Sequence, residues 1–351
     1  MEHLTAVLFN DFLGTPGWLW LSFMGIVIAL LTFDLGVLHR DDREIEVRES
    51  LLLSGGYIAM GLAFGAWVWS YLGAQSGMEY LTGFLVEKTL AMDNVFVIAM
   101  IFSFFAVPRK YQHRVLFWGI LGVIVLRAIM IGLGTALVTQ FSWVLYLFGA
   151  FLVLTGIKML FMIEQEFDIA GNPVLRYMQR RLRVTPAPVG SRFWVRLPAP
   201  EVPGGPPSSR PGAPQVLWAT PLFFALVLIE IVDVIFAVDS VPAVFAITQD
   251  PFIVYTSNIF AILGLRALYF ALAAVIHRFT YLKYALAVVL IFIGCKIFYN
   301  QLYGKMDAWI SLSVTFGLLA AGILYSLYKT RSGGPAPAAL PAGDAAAQRT
   351  A

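Results

Sequence analysis

The sequence of 351 residues is poor in the side chains on which disulfide frameworks and soft-metal sites depend, with one cysteine and four histidines. The single Cys295 excludes an intramolecular disulfide and any site built from several thiolates. Only 13% of the residues are charged, whereas 59% are hydrophobic and 15% are aromatic. This composition excludes a water-soluble globule around one core and predicts an all-α, polytopic membrane protein. The net charge of +3 gives no indication of a nucleic-acid partner.

Enzyme motifs are missing as well. The chain has no GxSxG elbow, no HExxH pair, no phosphate-binding loop and no dinucleotide-binding glycine motif. Asp93 and Asp239 lie in apolar segments, as the aspartates of intramembrane aspartyl proteases do. Their contexts, AMD and AVD, lack the Tyr-Asp and Gly-x-Gly-Asp patterns of that family. We therefore expect no enzymatic activity and no permanently bound cofactor.

Hydropathy divides the chain into nine apolar segments, which predict about nine transmembrane helices in a lipid bilayer. The segments cover about residues 18–38, 51–72, 79–107, 115–139, 142–163, 217–247, 253–276, 281–300 and 308–328. Eighteen Lys and Arg residues lie in alternate connections, whereas the intervening connections contain only Lys305. By the positive-inside rule, this asymmetry predicts an N-terminus outside and a C-terminus in the cytoplasm.

One membrane stretch occurs twice. Aligning LVEKTLAMDNVFVIAMI (85–101) with IVDVIFAVDSVPAVFAI (231–247) pairs an acid with an acid, an Asp with an Asp, and Asn with Ser. Downstream, GILGVIVLR ending at Arg127 matches NIFAILGLR ending at Arg266, and LTGIKMLF around Lys158 matches IFIGCKIF around Lys296. Because the predicted topology runs the two copies in opposite directions, we predict a 3+3 inverted-topology repeat, as in many secondary transporters. A duplication kept only for helix packing is the alternative.

The repeats divide the chain into six predicted parts. These are an N-terminal two-helix membrane segment, the first repeat, a cytoplasmic linker, the inverted second repeat, a C-terminal transmembrane helix and a disordered tail. Their ranges are 1–78, 79–163, 164–216, 217–300, 301–330 and 331–351. In the linker, 172–184 reads as a basic amphipathic piece on the anionic inner leaflet, and the Pro-rich 198–214 as disordered.

The duplicated segments carry polar side chains at a depth where a single charge costs about 3 kcal/mol. The carboxylates and their polar neighbours are Glu87, Asp93, Asn94, Glu230, Asp233, Asp239 and Ser240. All offer oxygen donors, which suit Mg²⁺, Ca²⁺ or Mn²⁺ and disfavour Zn²⁺ or Cu⁺. We predict that the two segments cross and bring these donors to one divalent-cation site. A proton relay remains a second possibility.

Several further charged or helix-breaking residues lie in or near the membrane segments. Arg127 and Arg266 are the obvious charge partners of the acids, either as fixed salt bridges or as cations that neutralise an empty site. Pro242 predicts a helix break beside Asp239. Lys158 and Lys296 are expected to extend towards the membrane surface. The roles of Lys88 and Asp34 stay open.

The runs VEKTLAMDNVFV, IEIVDVIFAVDSVPAVFAITQDPFIVYTSNIFAILGLRALYF, FDLGVLHR, NPVLRYMQRR and HRFTYLKYALAVVLIFIGCK resemble the TerC/Alx family of bacterial integral membrane proteins. The resemblance covers almost the whole chain from the first apolar segment to the last. It departs in the Pro-rich insert near 198–214, which we expect to affect only a cytoplasmic loop.

The resemblance implies a location in the bacterial inner membrane and a function in Mn²⁺ export, with an association with tellurite resistance. The residues that match the family's membrane motifs are the seven polar residues named above. Without the resemblance, the residues indicate only a carrier of a hard divalent cation. The alternative is a scaffold in a tellurite-resistance or envelope-stress complex, in which acid–Arg pairs are structural. Direct tellurite transport is disfavoured because an oxyanion needs a positive cavity.

Overall fold

We describe the fold from a computed structural model, which covers residues 11–12, 14–33, 47–141, 143–161, 169, 171–201, 205–208, 210, 212–272 and 282–332. Asp34 and the side chains of Asp93, Asp239 and Arg266 lie outside this described part. Eleven helices are described: α1 Gly17–Phe33, α2 Val47–Leu72, α3 Ala74–Phe104, α4 Arg109–Gln140, α5 Val144–Phe161, α6 Pro173–Arg181, α7 Pro221–Ile247, α8 Pro251–Leu263, α9 Leu265–Leu272, α10 Leu282–Tyr303 and α11 Ala308–Ser332.

The described chain is an all-α bundle, as the composition predicts. Six helices, α2, α4, α5, α7, α10 and α11, are long and apolar enough to cross a membrane, and α1 and α8 are shorter apolar helices. Helix α3 is 31 residues long, which is also more than one crossing needs, but it carries several charged residues. The apolar surfaces of α3, α7 and α8 are buried among their neighbours. These three helices therefore form the centre of the bundle.

The helices that correspond in the two sequence copies pack reciprocally. Helix α3 lies against α8 while α4 lies against α7, and α5 pairs with α10. Helices α5 and α10 run antiparallel. They pack closely because the glycines at their contact lack side chains. A Cβ on Gly156 would lie 2.6 Å from the carbonyl oxygen of Ala287, and a Cβ on Gly294 would lie 2.7 Å from that of Gly149. Small residues at such contacts let the helix backbones approach.

The predicted break at Pro242 is wrong, because α7 continues as a helix from Pro221 to Ile247 through this residue. Proline removes one backbone donor, but its fixed φ is compatible with a helix, and its neighbours Val241, Ala243 and Val244 are buried in the hydrophobic core. The interruption lies instead at Gly264, between α8 and α9. The aligned residue in the first copy is Val125, inside the uninterrupted α4.

The segment between the repeats contains α6 and an antiparallel hairpin of β3 (Trp194–Pro198) and β4 (Gln215–Ala219). The hairpin encloses the Pro-rich stretch and was not anticipated from the sequence. A second small hairpin, β1 (Asp11–Phe12) with β2 (Thr15–Pro16), precedes α1. Helix α6 packs partly on the bundle, because Leu175 is buried in a cluster with Val107 and Leu222.

Candidate functional site

A buried arginine lies at the centre of the bundle and contacts acids from both sequence copies. Arg127 in α4 is only 1% exposed. Its Nη1 lies 2.9 Å from Oε1 of Glu87 in α3. Its Nε and Nη2 donate to the two carboxylate oxygens of Asp233 in α7, each at 3.3 Å. Such a two-point contact fixes both the position and the plane of the guanidinium.

Two neutral side chains also contact Arg127. Nη1 also donates to Oγ of Ser240 at 2.6 Å and to Oδ1 of Asn258 at 3.2 Å. Asn258, in α8, donates through Nδ2 to Oε2 of Glu87 at 3.1 Å. Among the side chains that the structure describes, five oxygens from three helices therefore surround one cationic group. Hereafter we call Arg127, Glu87, Asp233, Ser240 and Asn258 the arginine network.

Asn258 is the member that sequence reasoning missed. It is fully buried in α8. The aligned residue in the first copy is Gly119, so the duplication gives no polar counterpart by which to find it. A polar residue at the start of the apolar run NIFAIL was the available signal.

The structure brings together three of the seven predicted donors, namely Glu87, Asp233 and Ser240. Asn94 is buried nearby, where it and Asp233 line a cavity of ≈ 30 Å³ whose other walls are apolar. A volume of about 10–15 Å³ holds one water, so this cavity has room for roughly two. Among the described side chains, no group of three or more Asp, Glu, His or Cys is arranged to hold a metal ion.

Glu230 does not join the network. Its carboxylate lies against Gly122 of α4, and a Cβ on that glycine would be 2.6 Å from Oε2 and closer still to Oε1. Among the described side chains, Oε2 of Glu230 is buried without a hydrogen-bond partner. The absence of a side chain at position 122 therefore creates the space that this carboxylate occupies.

Replacing Gly122 with alanine is expected to displace Glu230 and to lower the free energy of unfolding by about 1–2 kcal/mol, because the new methyl group overlaps the carboxylate. The cost should disappear in a Glu230→Ala background, where the overlap is relieved. Denaturant unfolding of the four proteins in detergent measures this cycle. Equal costs of Gly122→Ala in both backgrounds would show that another contact is responsible.

The membrane lysines differ from their predicted positions in part. Lys158 is exposed near the end of α5, and its extension to the membrane surface stays a prediction. Lys296, at the equivalent place in the second copy, is only 5% exposed and donates to Oγ of Ser311 at 3.0 Å. It lines a second, polar cavity together with Glu79, so it does not reach a membrane surface by extending. Lys88 is also buried and donates to the carbonyl oxygen of Ala261 at 3.0 Å.

Comparisons with known proteins agree with the resemblance seen in the sequence. A membrane protein of Rickettsia bellii (strain RML369-C), described as uncharacterized, is 46% identical over 310 residues, which cover 88% of this chain and 97% of the relative. A membrane protein of Myxococcus xanthus, STKORF319, also described as uncharacterized, is 44% identical over 318 residues, with coverage of 91% and 94%.

A third relative, from Escherichia coli (strain K12), is called a putative membrane-bound redox modulator, Alx, and is 45% identical over 315 residues, covering 87% of this chain and 92% of its own. No solved structure gives a significant match. The family model described as "Integral membrane protein TerC family" matches residues 72–333. The chain thus belongs to the TerC family of integral membrane proteins.

Proposed function

We propose that the protein is a carrier of the bacterial inner membrane that exports a hard divalent cation, with Mn²⁺ as the transported ion. The observation that carries the proposal is the arginine network, in which five side-chain oxygens converge on one buried positive group. Carboxylate, amide and hydroxyl oxygens are the ligands that hard divalent cations prefer. Arg127 holds the place that the cation takes when it binds.

The charges of the network support exchange between the arginine and the metal. Glu87 and Asp233 together carry two negative charges, and Arg127 compensates one of them. A divalent cation compensates both charges, so its Coulombic attraction to the two acids is stronger than that of the guanidinium. The free-energy cost of dehydrating the cation opposes this attraction. Asp93 and Asp239 remain predicted further ligands. The transported ion is bound only in transit, so no permanent cofactor is proposed.

We also propose that the architecture is a 3+3 inverted repeat within nine membrane crossings. The α5–α10 contacts support it, because aligning the two copies places Gly156 on Gly294 and Gly149 on Ala287. When both residues of the Gly156–Ala287 contact are exchanged for their aligned counterparts, the result is the Gly294–Gly149 contact, which the structure also contains. Such an exchange is what a two-fold axis between antiparallel copies produces. The predicted orientation, with the N-terminus outside and the C-terminus in the cytoplasm, completes the topology.

The experiment is Mn²⁺ uptake into proteoliposomes in which the export direction points inward. The test variant combines Arg127→Met, Glu87→Gln and Asp233→Asn, because replacing all three charged members of the network leaves none of them buried without its partner. We expect the wild-type protein to accumulate Mn²⁺ and the triple variant to match protein-free vesicles. Asp250→Asn is the matched control, since it changes an acid to its amide at the start of α8, where asparagine also caps a helix.

Two outcomes would reject the proposal: equal uptake by the triple variant, or no uptake by folded wild-type protein. The second outcome favours the alternative, a membrane scaffold in a tellurite-resistance or stress-response complex. The observation that favours this alternative is that Arg127 has its hydrogen-bonding groups engaged by acids, as in a structural ion pair. A redox function, suggested by the name of the Escherichia coli relative, cannot use an intramolecular dithiol, since Cys295 is the single cysteine.

A further inference from the structure

The interruption between α8 and α9 leaves a backbone carbonyl that a side chain from another helix satisfies. In an uninterrupted helix, the carbonyl oxygen of Ala261 would accept a hydrogen bond from the N–H of Leu265. Here α8 ends at Leu263 and α9 begins at Leu265. The oxygen of Ala261 accepts instead from Nζ of Lys88 in α3, at 3.0 Å. Insertion of a side chain into the helical hydrogen-bond ladder is a recognised cause of a kink.

Gly264 provides the space for this contact. A Cβ at this position would lie 2.7 Å from Nζ of Lys88 and 3.0 Å from Cβ of Tyr57. Any other residue would therefore push the ammonium group away from the carbonyl. The position is also electrostatically favourable for a cation, because carbonyl oxygens at the C-terminal end of a helix carry partial negative charge. Lys88 is 7% exposed, and no carboxylate of the described residues pairs with it.

Lys88 also connects the kink to the arginine network. Its chain neighbour Glu87 accepts a hydrogen bond from Asn258, and Ala261 lies one turn beyond Asn258 on α8. Helices α3 and α8 are thus joined at two consecutive points, one in the network and one at the kink. A shift of Glu87 when a cation replaces Arg127 would therefore alter both contacts, the hydrogen bond to Asn258 and the neighbouring contact of Lys88 with Ala261.

We propose that Gly264 is a hinge between α8 and α9, and that Lys88 is the positioning residue that holds it in the arrangement seen here and links it to the cation site. The proposal rests on the proposed carrier function for its cation dependence, but the hinge itself does not. Beyond the hinge, Leu265 lines the cavity that Asn94 and Asp233 also line. Movement at Gly264 therefore changes access to Asp233.

The test uses a single cysteine as a reporter of that cavity. Cys295 is replaced with serine, and Leu265, which is 8% exposed, is replaced with cysteine in an otherwise complete chain. The rate of labelling by a small methanethiosulfonate reagent is then measured in purified, monodisperse protein. We expect Lys88→Met to raise the rate about tenfold, which corresponds to about 1.4 kcal/mol of opening free energy.

A second variant separates a hinge from a general loss of stability. Gly264→Ala leaves the lysine in place but displaces its ammonium, so it should raise labelling to the same extent as Lys88→Met, and the double variant should be no faster than either. Gly132→Ala, where a Cβ meets no atom within 4 Å, is the matched control and should leave the rate unchanged. Unchanged labelling in both variants, or multiplying effects in the double variant, would overturn the proposal.

Saturating Mn²⁺ adds an arm that tests the link to the site. It should change the labelling rate of the reporter with the native lysine, but leave Lys88→Met and the neutral triple variant of the arginine network unaffected. If Mn²⁺ has no effect on any protein while Lys88→Met and Gly264→Ala still accelerate labelling, the hinge stands and the cation site fails. If the Mn²⁺ response persists in Lys88→Met, Lys88 does not link the hinge to the site.

Discussion

Replacing Arg127 with methionine is expected to destabilise the protein by about 3–5 kcal/mol when no divalent cation is present, because Glu87 and Asp233 would remain buried without a counter-charge. Both acids lie almost entirely out of contact with the surroundings of the protein, at 1% and 6% exposure. Neither carboxylate can therefore be hydrated in place of its contact with the guanidinium unless the surrounding structure rearranges. Denaturant or thermal unfolding in detergent, with a chelator in the buffer, measures the loss.

Mn²⁺ should restore much of this stability, because a cation that binds only the folded protein stabilises it by an amount that rises with the logarithm of its free concentration above the dissociation constant. At a free concentration about 100 times the dissociation constant, the gain is about 2.7 kcal/mol. The wild-type protein should gain less at the same concentration, since Mn²⁺ must first displace the guanidinium. The variant without Arg127 thus becomes the tighter binder, although it is the less stable protein.

The neutral triple variant, Arg127→Met with Glu87→Gln and Asp233→Asn, is the matched control for this prediction. It removes the arginine together with the two carboxylates that Arg127 pairs with, so it should unfold near the wild-type midpoint and should not respond to Mn²⁺. If the single variant is destabilised but Mn²⁺ does not restore it, the two acids are a structural partner of Arg127 and not a cation site. That outcome would support the scaffold alternative.

The sequence predicted the acids of the network but not its geometry. Charged residues inside apolar runs are costly, and this cost together with the duplication of the runs singled out Glu87, Asp233 and Arg127. Asn258 escaped because its counterpart is a glycine and because an amide costs less to bury than a charge. Glu230 lies one turn from Asp233, yet its carboxylate packs against Gly122 of α4 and does not join the network. Which acids share a site depends on helix rotation and packing, which the sequence pattern does not determine.

The position of the helix break is a second feature that the sequence pattern does not determine. Proline is the usual indicator of a break, and Pro242 therefore predicted one in α7, where the helix continues. The observed interruption depends on two residues distant in sequence, Gly264 and Lys88, of which one makes room and the other supplies a donor to the open carbonyl. Neither residue indicates a break by itself, because glycine is common in membrane helices and a buried lysine has no fixed partner type.

The α5–α10 pair allows a test of the proposed inverted repeat through stability. Gly156→Ala and Gly294→Ala should each lower the free energy of unfolding by about 1–3 kcal/mol, because the added methyl group meets a backbone carbonyl oxygen that cannot move away by itself. The distances from the added Cβ to the nearest carbonyl oxygen are nearly equal, 2.6 Å from position 156 to Ala287 and 2.7 Å from position 294 to Gly149. An arrangement related by a two-fold axis therefore predicts similar costs at the two positions.

Gly317→Ala is the matched control for both glycine variants. This glycine also lies within a helix, α11, but a Cβ there meets no atom within 4 Å. Alanine at such a position should be neutral or stabilise by about 0.5–1 kcal/mol, since it reduces the freedom of the unfolded chain. Because the two contacts involve different residues of the partner helix, the costs of Gly156→Ala and Gly294→Ala should add in the double variant. A large cost at one position and none at the other would mean that α5 and α10 are not packed as equivalent copies, and the inverted-repeat proposal would lose the contact on which it depends.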